Sequence, residues 1–127
     1  MASWIIPCNE KYYDHREAFA NLEYIDWRQN ANIEIGDEVY IYVGQSVGAI
    51  LYKCAVVDVD IKNESGNDEA YIARGQLLPA EKYMRLKLIK SFAEDKLSRR
   101  LLLENDLKTV QGPTRATEQL LRILEKE

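Results

Sequence analysis

The stretch Ala49-Ile50-Leu51-Tyr52-Lys53-Cys54-Ala55-Val56-Val57-Asp58-Val59-Asp60-Ile61 decides the fold. Ile50, Tyr52 and Cys54 are apolar around Lys53, whereas Val57, Val59 and Ile61 are apolar around Asp58 and Asp60. Side chains alternate across a strand, so this is one long strand whose inward face changes parity near Ala55-Val56. Such a flip is expected where a sheet bends round a barrel corner, often through a bulge.

Upstream, Glu38-Val39-Tyr40-Ile41-Tyr42-Val43 sets Val39, Ile41 and Val43 on one face of a strand and Tyr40 and Tyr42 on the other. Gly36-Asp37 reads as the turn before it, and Gly44-Gln45-Ser46-Val47-Gly48 as a loop whose glycines allow close backbone approach. Ser3 to Pro7 is a short apolar run suited to a first strand. Asp14 followed by Glu17 predicts a helix start, with Ala18, Phe19 and Leu22 on one face and an end near Glu23 or Tyr24. Tyr24 to Asn30 is too short and mixed to classify.

Downstream, Lys62 to Glu69 reads as an exposed, acidic hairpin tip, and Lys62 to Pro79 cannot be assigned. Tyr83 to Lys90 alternates Met84, Leu86 and Leu88 with Arg85 and Lys87, predicting a half-buried strand with a basic outer face. Ser98 is an N-cap, with Leu97 and Leu102 as a hydrophobic staple and Asn105 as the stop. After the turn Gln111-Gly112-Pro113-Thr114, a last helix from Thr117 presents Leu120, Leu121, Ile123 and Leu124 to the core. The order predicts an α+β domain around a small bent sheet.

The chain's 127 residues suit a single domain spanning 1–127, and 46% apolar with 30% charged residues excludes disorder and disulfide scaffolds. A net charge of −4 argues against nucleic-acid binding by charge alone. That total hides an asymmetry: residues 1–70 net −8 and residues 71–127 net +4. A basic half is a hint of a polyanion-facing surface, although it is more often a solvated face. No secretory signal or membrane-length apolar run is present, so a cytoplasmic protein without membrane association is expected, with Cys8 and Cys54 as reduced core residues.

Catalysis has little to stand on. His15, the single histidine, sits in the first helical turn, where exposure is expected. No metal-ligand cluster, phosphate loop or nucleophile elbow is present, so neither metal nor cofactor is expected. Asp26, Asp37, Asp58 and Asp60 are expected to face water rather than form a catalytic pair. Aromatic residues carry more signal: Trp27 beside Arg28, Gln29 and Asn30 offers a stacking plate with amide groups, and Tyr42 leads into the loop holding Ser46. That combination suits a nucleobase stacked on a ring and read along its edge, although tryptophan and tyrosine also fill small cores.

Trp4-Ile5-Ile6-Pro7-Cys8-Asn9, Trp27-Arg28-Gln29-Asn30, Gly36 to Gly44, the strand from Ile50 to Asp60, and Gln111-Gly112-Pro113 with Arg115 together resemble an EVE domain of the PUA-like superfamily. The similarity runs over essentially the whole chain, and the Gly-Asp stretch is also shared by ASCH domains. The resemblance implies a mixed β pseudo-barrel flanked by helices, and a non-catalytic reader of a modified base, commonly modified cytosine in DNA. By that reading Trp27 stacks on the base, Tyr42 walls the pocket, and Asn9, Gln29 and Ser46 supply edge hydrogen bonds. Arg28, Arg85, Lys87 and Arg115 would steer the phosphate backbone. Some EVE domains serve modification-dependent restriction, and with no nuclease motif here a nuclease would be fused beyond Glu127 or be a separate partner. The rivals are an ASCH-like enzyme acting on modified nucleosides through Lys53, and a protein-interaction module with a flat aromatic patch.

Overall fold

A computed structural model describes residues 1–9, 13–29, 31–44, 47–62, 71, 82–107, 110 and 112–127. Ser46, the hairpin tip from residue 63 onward, Asn30 and Gln111 lie outside the described residues. Among the described residues the order is β1 (Ser3–Cys8), α1 (His15–Asn21), β2 (Tyr24–Arg28), β3 (Glu38–Val43), β4 (Ala49–Ile61), β5 (Tyr83–Ser91), α2 (Arg99–Glu104), β6 (Thr114–Arg115) and α3 (Glu118–Lys126). The strands form one mixed sheet in the order β2-β5-β4-β3-β1-β6. No helix among them is long and apolar enough to cross a membrane.

β4 is the spine of the sheet, antiparallel to β3 on one side and β5 on the other. β1 runs parallel to β3, which demands a long crossover, and residues between them supply α1 and the far edge strand β2. Among the described residues the sheet is therefore open at β2 and β6, and its ladder does not close into a barrel. The unclassified Tyr24–Arg28 run becomes a strand because β5 lends it a full antiparallel partner. Thr114–Arg115, which begins on the last residue of the expected turn, pairs with Ile5 and Trp4 as β6.

Both faces of the central strands are covered. On the first, α1 packs Ala18, Phe19 and Leu22 on Trp4, Ile6, Val39, Ile41, Cys54, Met84 and Leu86. On the second, Leu97 just before α2, Leu102 in α2, and Leu120 and Leu124 in α3 pack onto Ile5, Tyr40, Tyr42 and Ile50. Strands buried on both sides read as continuous apolar runs, as β1 and β3 do. The helices begin where their caps place them: the side chains of Asp14, Ser98 and Thr117 accept from the backbone N–H groups of Glu17, Leu101 and Leu120.

The parity change in β4 is real but occurs twice. Ile50 faces the second cluster while Leu51 and Tyr52 both join the first, where the register to β3 shifts between Ile41 and Tyr42. Val56 is buried, Val57 and Asp58 are exposed, and Val59 packs on the first cluster. This second flip coincides with the register shift to β5 between Val56 and Asp58, rather than at Ala55-Val56. All-apolar Ala49–Tyr52 gives the sequence no polar residue to mark the first flip.

Candidate functional site

Trp27 sits on β2 opposite Met84, and alternation turns it, with Ile25, toward the first cluster. Its ring is half-buried and meets Tyr13 edge-on, with centroids 5.2 Å apart and planes at 64°. The Tyr13 backbone N–H donates to the Asn9 carbonyl (3.1 Å), so the chain leaving β1 reaches β2 by side-chain contact where the ladder does not. Sequence reading missed Tyr13, which is 4% exposed; the available signal was an aromatic residue in an otherwise polar segment.

Gln29 follows directly after β2 and is buried. Its Oε1 accepts from the Asp60 backbone N–H (2.8 Å), and its Nε2 donates to Asp60 Oδ1 (3.3 Å). Asp60 has φ of 54°, off the strand conformation, so the amide supplies a partner to backbone that has left the regular strand. One N–H and one lone pair of the Gln29 amide are engaged by Asp60. Tyr13 thus links the Asn9 backbone to the Trp27 ring, while Gln29 is tied to Asp60, which also pairs with Lys82 (3.2 Å).

Tyr42 lies elsewhere. It is 9% exposed within the second cluster, on the opposite face of the sheet from Trp27. The basic residues also divide. Arg85 grips Asp26 through Nε–Oδ1 (2.9 Å) and Nη2–Oδ2 (3.5 Å), and this hydrogen-bonded carboxylate raises the guanidinium's already high pKa. Lys87 is exposed, opposite Tyr24, and Arg28 is half-buried opposite Tyr83. These three share the face away from Trp27. Arg115 is on β6, its guanidinium 5.1 Å from the Trp4 ring centroid, near the other edge of the sheet.

Several residues expected at the surface are interior. His15 is 1% exposed, and its Nδ1 shares a 2.5 Å hydrogen bond with Tyr52 Oη. Asp26 and Asp37 are each 3% exposed, whereas Asp58 and Asp60 are exposed. Burial pushes the Asp37 carboxyl up, but hydrogen bonds from the Glu34 and Ala2 backbone and the Trp4 indole outweigh it and hold the group below its usual value. Lys53 pairs with Glu38 (2.8 Å), and that hydrogen bond leads the effects that raise its pKa. Among the described residues no group of three His, Cys, Asp or Glu side chains could hold a metal ion.

No family model matches the chain, and no curated protein matches it in sequence. Its similarity is to solved structures. ASCH from Zymomonas mobilis superposes with a TM-score of 0.66 at 12% identity, covering 98% of this chain and 94% of that one. A tyrosine-to-phenylalanine mutant of the same protein gives 0.66 at 12%, covering 99% and 98%. A Rhodopseudomonas palustris protein solved by NMR gives 0.60 at 12%, covering 99% and 92%. Likeness at this identity establishes fold alone: an α+β fold, the PUA-like fold of these ASCH structures.

Proposed function

We propose that the chain is a non-catalytic nucleic-acid-binding module that recognises a modified base, modified cytosine in DNA being the first choice, in the manner of an EVE domain. The observation that carries this reading is the half-buried Trp27 ring, which meets Tyr13 edge-on. A base stacks on Trp27, and Asn9 and Gln29 read its edge. The PUA-like fold of its ASCH neighbours supports nucleic-acid binding at a general level. Ser46 adds an edge hydrogen bond, and Tyr42 braces from the far face the strand that leads into its loop. Arg28 and Lys87 steer the backbone, with smaller parts for Arg85, anchored on Asp26, and for Arg115 at the other edge. A nuclease, fused or separate, would make the module the reader of a modification-dependent restriction system.

Tryptophan fluorescence titrated with methylated and unmodified oligonucleotides tests the proposal. Loss of one stacked base costs about 1–3 kcal/mol, so Trp27→Ala should weaken binding of the modified strand roughly 5- to 150-fold while Trp4 still reports the fold. Equal and negligible binding by both proteins removes the proposal's main support.

A second reading is an ASCH-like enzyme acting on modified nucleosides through Lys53, for which the ASCH neighbours supply a likeness of fold. Pairing with Glu38 keeps Lys53 protonated, which suits an electrostatic role better than a general base. Product formation from modified nucleosides that disappears in Lys53→Ala would establish this reading over the first.

A further inference from the structure

The helices α2 and α3 cover the second face of the sheet over β1 and β3, but no residue of β2 or β5 belongs to that cluster. On this uncovered half Tyr24, Lys87 and Ala55 stand in one row across β2, β5 and β4. Lys87 is exposed and Tyr24 is 37% exposed. Strict alternation along β5 would turn Lys90 to the first face with Leu86 and Leu88. A bulge prevents this. Cys54 pairs with Leu88 and Lys53 with Lys90, so Ile89, which is 54% exposed, is one extra residue in β5. Lys90 is thereby brought beside Lys53 on the face of Lys87. The β4 partners of the two β5 lysines, Ala55 and Lys53, are two residues or about 7 Å apart.

This arrangement works against stability, because like charges directly opposite across strands repel and a bulge interrupts the ladder. Carboxylates relieve part of it. Glu38 pairs with Lys53 (2.8 Å), Asp26 pairs with Arg85 (2.9 Å), and Asp58, across from Arg85, accepts from the Val59 N–H (2.9 Å). Lys87 holds no ion pair among the described residues, and Lys90 lies over the Phe92 ring, 5.5 Å from its centroid, likewise without a carboxylate. Two unmatched cations beside Tyr24 and Ile89, in a chain of net charge −4, complement a polyanion that also offers flat apolar surfaces. Single-stranded nucleic acid has both, phosphates for the lysines and unpaired bases for the aromatic and aliphatic side chains. Two cations are too few to hold a duplex by charge alone.

We infer that this half of the second face binds single-stranded nucleic acid whatever the modification of its bases, with neighbouring phosphates on Lys87 and Lys90 and a base on Tyr24. The inference gives the Lys87 contact of the proposed function a strand path of its own, and it does not rest on base reading at Trp27, which lies across the sheet.

Fluorescence anisotropy and methyl-resolved NMR on the full chain test this with an unmodified oligothymidylate, the duplex it forms with its complement, and polyglutamate of matched charge. The single strand should bind saturably, more tightly than the duplex or polyglutamate, and shift the Ala55 and Ile89 methyl signals. Lys90→Gln should lower the slope of log affinity against log salt by about one, and Tyr24→Leu should weaken binding about fivefold or more. Ile89→Glu, at an exposed position, should abolish binding. Ala20→Glu, the same charge change at an exposed position of α1 across the sheet, should bind the unmodified strand like wild type, and so should Trp27→Ala. Preference for a modified strand reports Trp27 and affinity for the unmodified strand reports this face, so either reading can fail alone. Four results overturn the inference: no saturable binding of the unmodified strand, polyglutamate or duplex bound as tightly as the strand, binding kept in Ile89→Glu but lost in Ala20→Glu or Trp27→Ala, or unchanged affinity in both Tyr24→Leu and Lys90→Gln.

Discussion

Replacing Asp37 by asparagine should destabilise the fold at neutral pH and blunt its sensitivity to acid. Asp37 Oδ1 accepts from the Ala2 N–H (2.9 Å), and Oδ2 accepts from Trp4 Nε1 (3.1 Å) and the Glu34 N–H (3.0 Å). One carboxylate thereby ties the start of β1, a buried indole and the turn before β3. An asparagine oxygen can keep the last two donors, but its NH₂ then faces the Ala2 N–H, donor against donor. Hydrogen bonds to a charged group contribute about 1.5–3 kcal/mol each, so losing the charge and one acceptor should cost about 2 kcal/mol. In a domain of this size that is a fall in Tm of roughly 6–10 °C. The pH dependence has a definite sign. Because the folded-state pKa lies below the unfolded value, the carboxylate's contribution is fully present above about pH 4 and is lost as pH falls through the folded pKa. Urea titrations of both proteins from pH 7 to pH 3 should show a gap that is widest at neutral pH and closes in acid. Equal midpoints at pH 7, or a gap that does not change below pH 4, would refute the account of Asp37 as an ionised clamp.

Three further outcomes follow from the same structure. Tyr40 is fully buried and its Oη has no hydrogen-bond partner among the described residues; Tyr40→Phe should therefore leave stability unchanged or raise it by about 1 kcal/mol, measured by urea unfolding. Burial pushes the Cys54 thiol up to about 12, so a disulfide reagent at pH 8 should label it only at the rate of unfolding, and fast labelling of the native protein would contradict its placement. In oligonucleotide titrations across salt concentrations, Lys87→Gln should reduce the slope of log affinity against log salt by about one, whereas Arg85→Gln, which removes the ion pair between Arg85 and buried Asp26, should chiefly lower stability.

Local signals were the most legible part of the fold. The bounds of β3 and β4, the caps at Asp14, Ser98 and Thr117, and the stop at Asn105 all rest on neighbours within a few residues, and the structure has them there. What the sequence left open depended on distant partners. Tyr24–Arg28 is a strand only because β5 runs beside it, and β6 is two residues that borrow their pairing from β1. His15 looked exposed because a polar residue in a first helical turn usually is, yet Tyr52, far along the chain, supplies the hydrogen bond that permits its burial. Asp26 is buried for the same kind of reason, with Arg85 as its partner.

The candidate site shows a deeper reason for the limit. Alternation tells which residues share a face of one strand, but it does not say which faces of different strands share a side of the molecule. Trp27 and Tyr42 each read as accessible rings beside a turn, and nothing local distinguishes their sides. The structure separates them because β2 sits at one edge and β3 lies three places away, across β5 and β4. Register shifts in β4 further re-index its faces against both neighbours. Asn9 and Trp27, distant in sequence, meet through Tyr13 because the crossover from β1 must carry the chain to that far edge before it can return parallel at β3. The parallel β1–β3 pair, which requires this long excursion, is therefore what brings Tyr13 against Trp27. A site built on such a crossover should be more sensitive to changes in the residues that dock the excursion, Tyr13 above all, than to substitutions in the Tyr42 face.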